Sequence, residues 1–395
     1  MISQAHRKLS NIADLHKKGI FPWVTTRFDK VKQFFLLISN VSGMASFPKK
    51  TLKLQNPGFY KSTYEKLLNQ AEPFFGNSML INDFNDIIAT IDDNFDITLG
   101  GLPNEIHDLF IKLDKIFSRY RDPKKHTYSS EFKPIIDCLH HVYDYEIKFL
   151  RAKEPLWNAY QLSQELGIDV CPYCNRSYTN TVRTVKNPLD PTLGYKNFIR
   201  PEFDHFYLKS WCPYLALSFY NLIPSCSACN SSLKGQHFMS IETHSHPYME
   251  GYEDLMGFGT EVDLEAWLKN TKVPVDIAFN PNNSGIPTDA EKRAKANAGL
   301  FAIKQVYNAH SDLAKEIFQK STQDSKSYIE TSYNIISEQG IRLFDNKENF
   351  YKNYVGNYME SKNFHLRPLS KFQYDLYRQT GIIKFLNDLE TKSKI

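Results

Sequence analysis

The chain has 395 residues, 42% of them apolar, which exceeds one average domain and suggests two or three with real cores. Its 48 Lys and Arg against 44 Asp and Glu leave a formal net charge of only +4. The N-terminus lacks the apolar stretch of a signal peptide, and the longest early apolar run, Phe34 to Ile38, is too short to span a bilayer. These features argue against secreted and membrane-spanning classes, and we expect a soluble, cytoplasmic protein.

The first 125 residues are expected to form a helical extension without any catalytic spacing. Helical stretches alternate there with loops marked by Phe21-Pro22, Asn56-Pro57-Gly58 and Gly100 to Pro103. One long helix is predicted from Ser129 to Leu166, because apolar residues recur at steps of three and four. A short strand, Gly167 to Val170, is predicted to follow it.

Four of the six cysteines have the spacing of metal ligands, which indicates a reducing compartment. Cys171 and Cys174 form one C-x-x-C knuckle, and Cys226 and Cys229 form a second. In each knuckle a tight turn can aim both sulfurs at one point about 2.3 Å away, and two knuckles complete a tetrahedral Zn²⁺ site. Because four thiolates leave no position for water, this zinc is expected to be structural.

A carboxylate and an imidazole lie side by side between the knuckles. Residues 200–207 are predicted to form a short strand that carries Asp204 and His205, and a helix that starts at the second knuckle is predicted to carry Asn230. In that arrangement Asp204 and Asn230 can share a hard cation, Mg²⁺ or Mn²⁺, while His205 takes a proton from an attacking water. These residue types predict metal-assisted hydrolysis of a phosphodiester.

Positive charge is concentrated around the same segment. Between residues 171 and 240 there are seven basic and three acidic residues, so the whole formal excess of the chain lies there. A phosphate backbone is the natural partner of such a segment, and Arg176, Lys209 and Lys234 are the candidates for nucleic-acid contact. An ordinary solvated basic surface is the alternative interpretation.

At these residues the sequence resembles the HNH (ββα-metal) endonuclease family. His205 falls on the family's catalytic histidine and Asp204 on the preceding metal-binding acid. Asn221 falls on the asparagine that braces the loop near the histidine, and Asn230 on the third letter of the motif, which makes this an H-N-N version. A small zinc-stapled core of this kind, flanked by N- and C-terminal helical regions, makes the expected fold class α+β and mostly helical.

A closer similarity extends further along the chain. The runs 171–176, 214–226 and 365–371 resemble HNH effector subunits of Septu-type and retron-associated antiphage systems, and the likeness covers roughly residue 145 to the C-terminus. Those subunits work beside an ABC-type or AAA ATPase. The resemblance therefore implies an effector nuclease of antiviral defence with a separate ATPase partner, since this chain offers no Walker motif.

Three regions follow from these patterns. Residues 1–125 form the helical extension, 126–250 the nuclease core with its helical lead-in, and 251–395 a mainly helical C-terminal region. In the last region a strand from Val273 to Phe279 is predicted to precede helices that dominate from Asp289 onward.

Several functions stay open on the sequence alone. DNA is the default substrate of the predicted endonuclease, and RNA, such as a structured transfer RNA, is the alternative, because nothing here reads or excludes a 2′-hydroxyl. A non-catalytic, zinc-stabilised module that binds nucleic acid or a partner protein is the third hypothesis. The remaining cysteines, Cys138 and Cys212, are expected in the core, and His244 and His246 at surface or packing positions.

Overall fold

The computed structural model describes residues 2–4, 9–41, 72–74, 76–122, 127–153, 156–190, 192, 194–251, 255–260, 274–279, 287–324, 326–336 and 340–392. Helices dominate this part of the chain and its strands are short, so the fold class is α+β and mostly helical, as predicted. Buried apolar side chains from all three predicted regions form one connected core, which includes Cys138 and Cys212. None of the described helices is both long enough and apolar enough to cross a bilayer.

The first half of the described chain is built from helices and one short antiparallel strand pair, β1 Arg121–Asp122 with β2 Thr127–Tyr128. Its α-helices are α1 Ser10–Val41, α2 Ser78–Asp93, α3 Phe95–Gly100, α4 Pro103–Tyr120, α5 Lys133–Val142 and α6 Ala159–Leu166. The break predicted at Gly100 to Pro103 is confirmed, since Pro103 opens α4, where a missing amide hydrogen costs nothing. The predicted loop at residues 56–58 lies outside the described residues.

The loop predicted at Phe21-Pro22 is wrong, because Pro22 lies inside α1. Proline in a helix interior costs about 3 kcal/mol. Ile20, Val24 and Phe28 recur at helical spacing on the buried face of α1, and burial of each such side chain contributes roughly 1.5–3 kcal/mol. Tertiary packing therefore outweighs the local signal of the proline.

The long helix predicted from Ser129 to Leu166 is interrupted. α5 ends at Val142, a five-residue π-helix covers Glu146–Leu150, and α6 begins only at Ala159. Asn158 caps α6, because its side chain accepts from the backbone of the first turn while Gln161 Oε1 accepts from the Asn158 amide. Such a capping box starts a new helix instead of continuing the old one.

Three further antiparallel strand pairs organise the rest of the chain. β3 Val182–Val185 pairs with β4 Tyr195–Ile199, and β5 Glu202–His205 pairs with β6 Leu222–Ser225. A π-helix, Ala228–Lys234, follows β6 directly and packs on β5. β5 thus lies within the predicted strand 200–207, whereas the strand predicted over residues 167–170 is reduced to a single bridge from Val170 to Tyr178.

The C-terminal region is mainly helical, as predicted. β7 Met256–Gly259 pairs with β8 Asp276–Phe279, which lies within the predicted strand. The helices that follow are α7 Asp289–Leu300, α8 Ile303–Asn308, α9 Ser311–Gln323, α10 Lys326–Tyr333, α11 Lys347–Val355, α12 Ser370–Gln379 and α13 Ile382–Lys392. A capping box of Thr288 and Glu291 fixes the start of α7 at the predicted residue.

Candidate functional site

The four knuckle cysteines lie together. Their Sγ atoms are all within 4.8 Å of one another, and the sulfurs of Cys174 and Cys226 are 3.9 Å apart. A tetrahedral ion about 2.3 Å from each sulfur requires sulfur–sulfur distances of about 3.8 Å, whereas a disulfide requires about 2.05 Å. The cluster is therefore close enough to bind a metal ion.

Local backbone bonds form each knuckle. The amide of Asn175 donates to the Cys171 carbonyl at 2.8 Å, and the amide of Asn230 donates to the Cys226 carbonyl at 3.0 Å. Asn175 adopts a left-handed φ of 52°, which asparagine tolerates better than most residues. Neighbouring sequence thus makes each half of the cluster, and packing of β6 and its helix brings the halves together.

Charge in the cluster calls for a cation. Burial raises the pKa of the Cys171 thiol well above its ordinary value, while hydrogen bonds from neighbouring thiols lower the pKa of Cys226. Four thiolates this close together would repel one another, so a positive charge between them would be needed to keep all four in that form. A metal ion would supply that charge and couple its binding to folding.

The C-terminal region holds the first knuckle. Tyr307 donates its hydroxyl hydrogen to the Cys174 carbonyl at 2.7 Å, and the Asn175 amide group donates to the Phe364 carbonyl at 2.8 Å. Arg176 donates from Nε to Nε2 of His310 at 3.1 Å and is partly buried. Arg176 therefore makes an internal contact, and its role as a nucleic-acid contact stays a prediction.

Four of the predicted site residues, Asp204, His205, Lys209 and Asn230, line one open cavity of about 430 Å³. It lies between the π-helix of residues 146–150, β5 and the helix after the second knuckle. Its polar lining comprises Tyr145, Glu146, Arg200, Glu202, Asp204, His205, Lys209, Ser210, Asn230 and Gln236. The sequence prediction that Asp204, His205 and Asn230 share one location is consistent with this arrangement.

His205 is held in a single orientation. Its Nε2 lies 3.0 Å from the Ala216 carbonyl, which can only accept, so Nε2 carries the hydrogen and Nδ1 is left as the basic nitrogen. Tyr145 meets the imidazole edge-on at a centroid distance of 4.6 Å. Burial, followed by the positive charge of Lys209, lowers the pKa of His205 to about 3. The imidazole is consequently neutral at physiological pH.

Asn221 fixes the loop that follows the histidine. Its Oδ1 accepts from the Tyr207 amide at 2.7 Å, and its Nδ2 donates to the carbonyls of Tyr207 and Leu215 at 3.1 and 3.0 Å. The side chain is fully buried, so all three bonds are shielded from water. Asn221 thereby braces the segment between β5 and Ala216, whose carbonyl orients His205.

Asp204 accepts one hydrogen bond from a protein donor at each carboxylate oxygen. Lys234 Nζ lies 2.7 Å from one carboxylate oxygen, and the Tyr173 hydroxyl donates to the other at 2.6 Å. The side chains of Lys234 and Asp204 are only 0% and 3% exposed. Lys234 also donates to the His205 carbonyl. The selection of Lys234 as a phosphate contact is therefore corrected, because its ammonium is a buried counter-ion that solvent does not reach.

Asn230 faces a different carboxylate from the one predicted. Its amide nitrogen donates to Glu202 Oε2 at 2.8 Å, and Ser231 donates to the same oxygen at 2.9 Å. Glu202 and Asp204 lie two residues apart on one face of β5, while Asn230 and Lys234 lie four apart on the helix. Two parallel contacts thus join strand and helix, and they involve the amide nitrogen of Asn230 and not the oxygen predicted to bind a divalent ion, so that ion stays a prediction.

The basic groups at the cavity are Lys209 and Arg200. Lys209, which was predicted as a nucleic-acid contact, is half-buried. Its Nζ lies 2.6 Å from Glu146 Oε1 and 5.0 Å from the centroid of the Tyr145 ring. Arg200 was not singled out from sequence. Its Nη1 donates to the Pro201 carbonyl, while its buried Nε has no hydrogen-bond partner among the described residues. The sequence signal that could have identified Arg200 was its position two residues before Glu202, which places both side chains on the same side of an extended segment.

Two other histidines prove to be packing residues. His246 is buried with Nε2 against the Tyr220 carbonyl at 2.9 Å, and the Tyr248 amide donates to its Nδ1 at 3.2 Å. Burial lowers the pKa of His246 to about 3. His244 is also buried and bonds through Nδ1 to Thr243. Neither lines the cavity, in agreement with the packing alternative.

Comparison with models of protein families, with curated proteins and with solved structures gave no match to this chain. The assignment of function therefore depends on the residues of the cavity and the cysteine cluster themselves.

Proposed function

We propose that this protein is an endonuclease that hydrolyses phosphodiester bonds of nucleic acid, with DNA as the default substrate. The observation that carries the proposal is the anchored imidazole of His205: a carbonyl fixes its Nε2 hydrogen, and the ring lies in an open cavity with Lys209 and Arg200 at its wall. An oriented neutral imidazole beside cations is what a general base needs to activate water next to a phosphate.

We also propose that the four cysteines hold a structural Zn²⁺. The supporting observations are four sulfur donors, tight packing of the sulfurs and the absence of any fifth ligand among the described residues of the cluster. The metal would act on the cavity through Tyr173, which lies between Cys171 and Cys174 and bonds to Asp204. Asp204 in turn is tied to Lys234 on the helix of the second knuckle. Zinc would thus set the spacing of strand and helix.

In the proposed reaction, water attacks phosphorus while His205 Nδ1 takes its proton. The bond from phosphorus to the 3′ oxygen breaks and that oxygen takes a proton from solvent water, which leaves 5′-phosphate and 3′-hydroxyl ends. Lys209 and Arg200 offset the charge of the phosphate. Burial is the main cause of the lowered pKa of His205 and the charge of Lys209 is the second, so a phosphate that neutralises Lys209 would reverse only the second part of that shift.

A Mg²⁺ or Mn²⁺ ion, which the residue types and the family resemblance both predict, would be held by Asp204 and Asn230 and would offset charge on the phosphate. Each Asp204 oxygen accepts one hydrogen bond, from Lys234 or from Tyr173, and Asn230 contacts Glu202 through its amide nitrogen, not through the oxygen that would bind a cation. No step is routed through this ion. Instead, the Asp204–Lys234 pair positions β5 and with it His205. A role in antiviral defence beside an ABC-type or AAA ATPase is proposed from the resemblance alone.

The decisive experiment is digestion of plasmid DNA and of total RNA by the zinc-loaded protein, with Mg²⁺, with Mn²⁺ and with EDTA added only during the assay. We expect cleavage by the wild type and its loss in His205→Ala. His237→Ala is the matched control, because His237 is exposed and does not line the cavity. Cleavage of RNA alone would reassign the substrate. Unchanged cleavage by folded His205→Ala would overturn the proposed base.

A further inference from the structure

The strands β3 and β4 form a two-stranded ribbon beside the cavity that contains His205. All five residues of β4 are exposed, and on β3 the exposed residues Val182 and Thr184 alternate with half-buried ones. Because successive side chains of a strand point to opposite faces, Val182 and Thr184 lie on one face of the ribbon. This face is open to solvent, and a partner can reach it.

Positive charge dominates the ribbon. Between residues 182 and 200 there are four basic side chains and one acidic side chain. The basic residues are Arg183, Lys186, Lys196 and Arg200. The acidic residue, Asp190, accepts from the Thr192 amide at 3.1 Å within the connection between the strands. Lys186 and Lys196 are both exposed. We call residues 182–186 and 195–200 the basic ribbon, and its charge suits a phosphate backbone.

The aromatic side chains of the basic ribbon are paired with its cations. The guanidinium of Arg183 lies 4.4 Å from the centroid of the Tyr195 ring, and Lys196 Nζ lies 4.9 Å from that of Phe198. Single-stranded nucleic acid is held by bases that stack on aromatic rings. Because a cation covers one face of each ring here, the ribbon offers charge more than stacking surface. This favours a duplex, whose phosphates face outwards and whose bases stack on one another.

The shape of the ribbon distinguishes between DNA and RNA duplexes. Neighbouring strands lie about 4.8 Å apart, and the major groove of B-form DNA, about 12 Å wide, admits a two-stranded ribbon. The major groove of duplex RNA is deep and narrow, so protein side chains do not read it. A two-stranded basic ribbon therefore fits DNA better than RNA.

The basic ribbon is held against α6. Arg183 Nη1 donates to Gln164 Oε1 at 2.7 Å, and the guanidinium of Arg200 lies 5.5 Å from the centroid of the Tyr160 ring. Gln164 and Tyr160 both lie on α6. Contacts from each strand to one helix restrain the direction in which the ribbon points from the core.

The basic ribbon leads directly into the cavity. Arg200, which follows β4, lines the cavity, and two residues later β5 begins, which carries His205. An extended strand rises about 3.3 Å per residue, so Lys196 lies roughly 13 Å along the chain from Arg200, the length of about four base pairs. A duplex on the ribbon therefore has phosphates within reach of the cavity.

We propose that the basic ribbon binds the major groove of double-stranded DNA, with Lys186 and Lys196 on its phosphates, and presents the duplex to the cavity. This inference rests on the proposed endonuclease function and names duplex DNA as its substrate. The ribbon contacts DNA away from the reacting atoms, so it contributes to binding and not to the chemical step.

Fluorescence anisotropy with a short labelled duplex tests the proposal in full-length, zinc-loaded His205→Ala, where binding is measured without cleavage. We expect duplex DNA to bind at least tenfold more tightly than duplex RNA or single-stranded DNA of the same sequence. Adding Lys186→Ala/Lys196→Ala should weaken binding of duplex DNA at least tenfold. It should also reduce the slope of log K against log salt by about 1.8, since each lost phosphate contact removes about 0.9.

The matched control is Lys112→Ala/Lys115→Ala, which removes the same charge from exposed positions of α4 outside the cavity. It should bind duplex DNA like its parent, and circular dichroism verifies that each variant is folded. A folded Lys186→Ala/Lys196→Ala variant that binds like its parent would overturn the proposal. Duplex RNA or single-stranded DNA that binds as tightly as duplex DNA would overturn it as well.

Cleavage assays separate this inference from the proposed function. In the protein with intact His205, Lys186→Ala/Lys196→Ala should raise KM for plasmid DNA severalfold and leave kcat unchanged, as expected for lost binding that is equal in ground and transition states. If the ribbon substitutions weaken DNA binding but the wild type cleaves nothing, the proposed hydrolysis fails and the ribbon stands. If the wild type cleaves DNA and the ribbon variant keeps its KM, the ribbon fails and the hydrolysis stands.

Discussion

The buried ion pair of Lys234 and Asp204 joins β5 to the helix of the second knuckle beside the cavity. In Lys234→Met the ammonium is removed while the length of the side chain is kept. Asp204 is only 3% exposed, so its carboxylate would be left buried with the Tyr173 hydroxyl as its single partner. Breaking a buried pair on one side costs about 3–5 kcal/mol. That is a large part of a domain stability of roughly 5–15 kcal/mol.

Urea unfolding of the zinc-loaded protein, followed by tryptophan fluorescence, measures this loss. The matched control is Lys292→Met, because Lys292 and Asp289 form an exposed pair at 2.8 Å and its removal should leave the unfolding midpoint unchanged. The double variant Asp204→Asn/Lys234→Met should lose less free energy of unfolding than the two single variants lose together, since neither charge remains buried. A loss below about 1 kcal/mol in Lys234→Met would refute the assignment of a buried counter-ion.

The loss should also depend on pH. In Lys234→Met the carboxylate of Asp204 would be buried without a cation, and acid removes that uncompensated charge, so the variant recovers stability as pH falls. The difference between wild type and Lys234→Met should thus be smaller at pH 5 than at pH 8. An equal difference at both values would contradict the reasoning.

Three further predictions follow from single residues. Asn221→Ala should lower the free energy of unfolding by about 2–3 kcal/mol, as three buried hydrogen bonds are lost, and urea titration measures it. Burial lowers the folded pKa of His246 to about 3, so the stability that depends on neutral His246 is present above pH 6.5 and declines as pH falls towards 3. His246→Gln should flatten the stability profile across that window, and an unchanged profile would argue against this role. Cys226→Ser should release zinc and unfold the core, which metal analysis and circular dichroism detect.

The cysteine cluster was predictable because its information is local. A C-x-x-C spacing fixes where two sulfurs can point, whatever surrounds the turn. The same holds for β5, where Glu202 to His205 form the predicted strand, and for α7, whose capping residues lie within its first turn. Where the prediction failed, a distant segment was responsible: Pro22 stays in α1 because the buried face of that helix packs against the core.

The sequence by itself determined which residues were candidates for the site: four thiols in metal spacing, an acid beside an imidazole, and two asparagines. Only the tertiary structure decided their partners. It placed Lys234 on Asp204, Glu202 on Asn230 and the Ala216 carbonyl on His205. Side-chain partners across 11 to 30 residues depend on how strand and helix pack, and burial then strengthens each contact by excluding water. The spacing of residues along the sequence does not show how the strand and the helix pack or which contacts are buried.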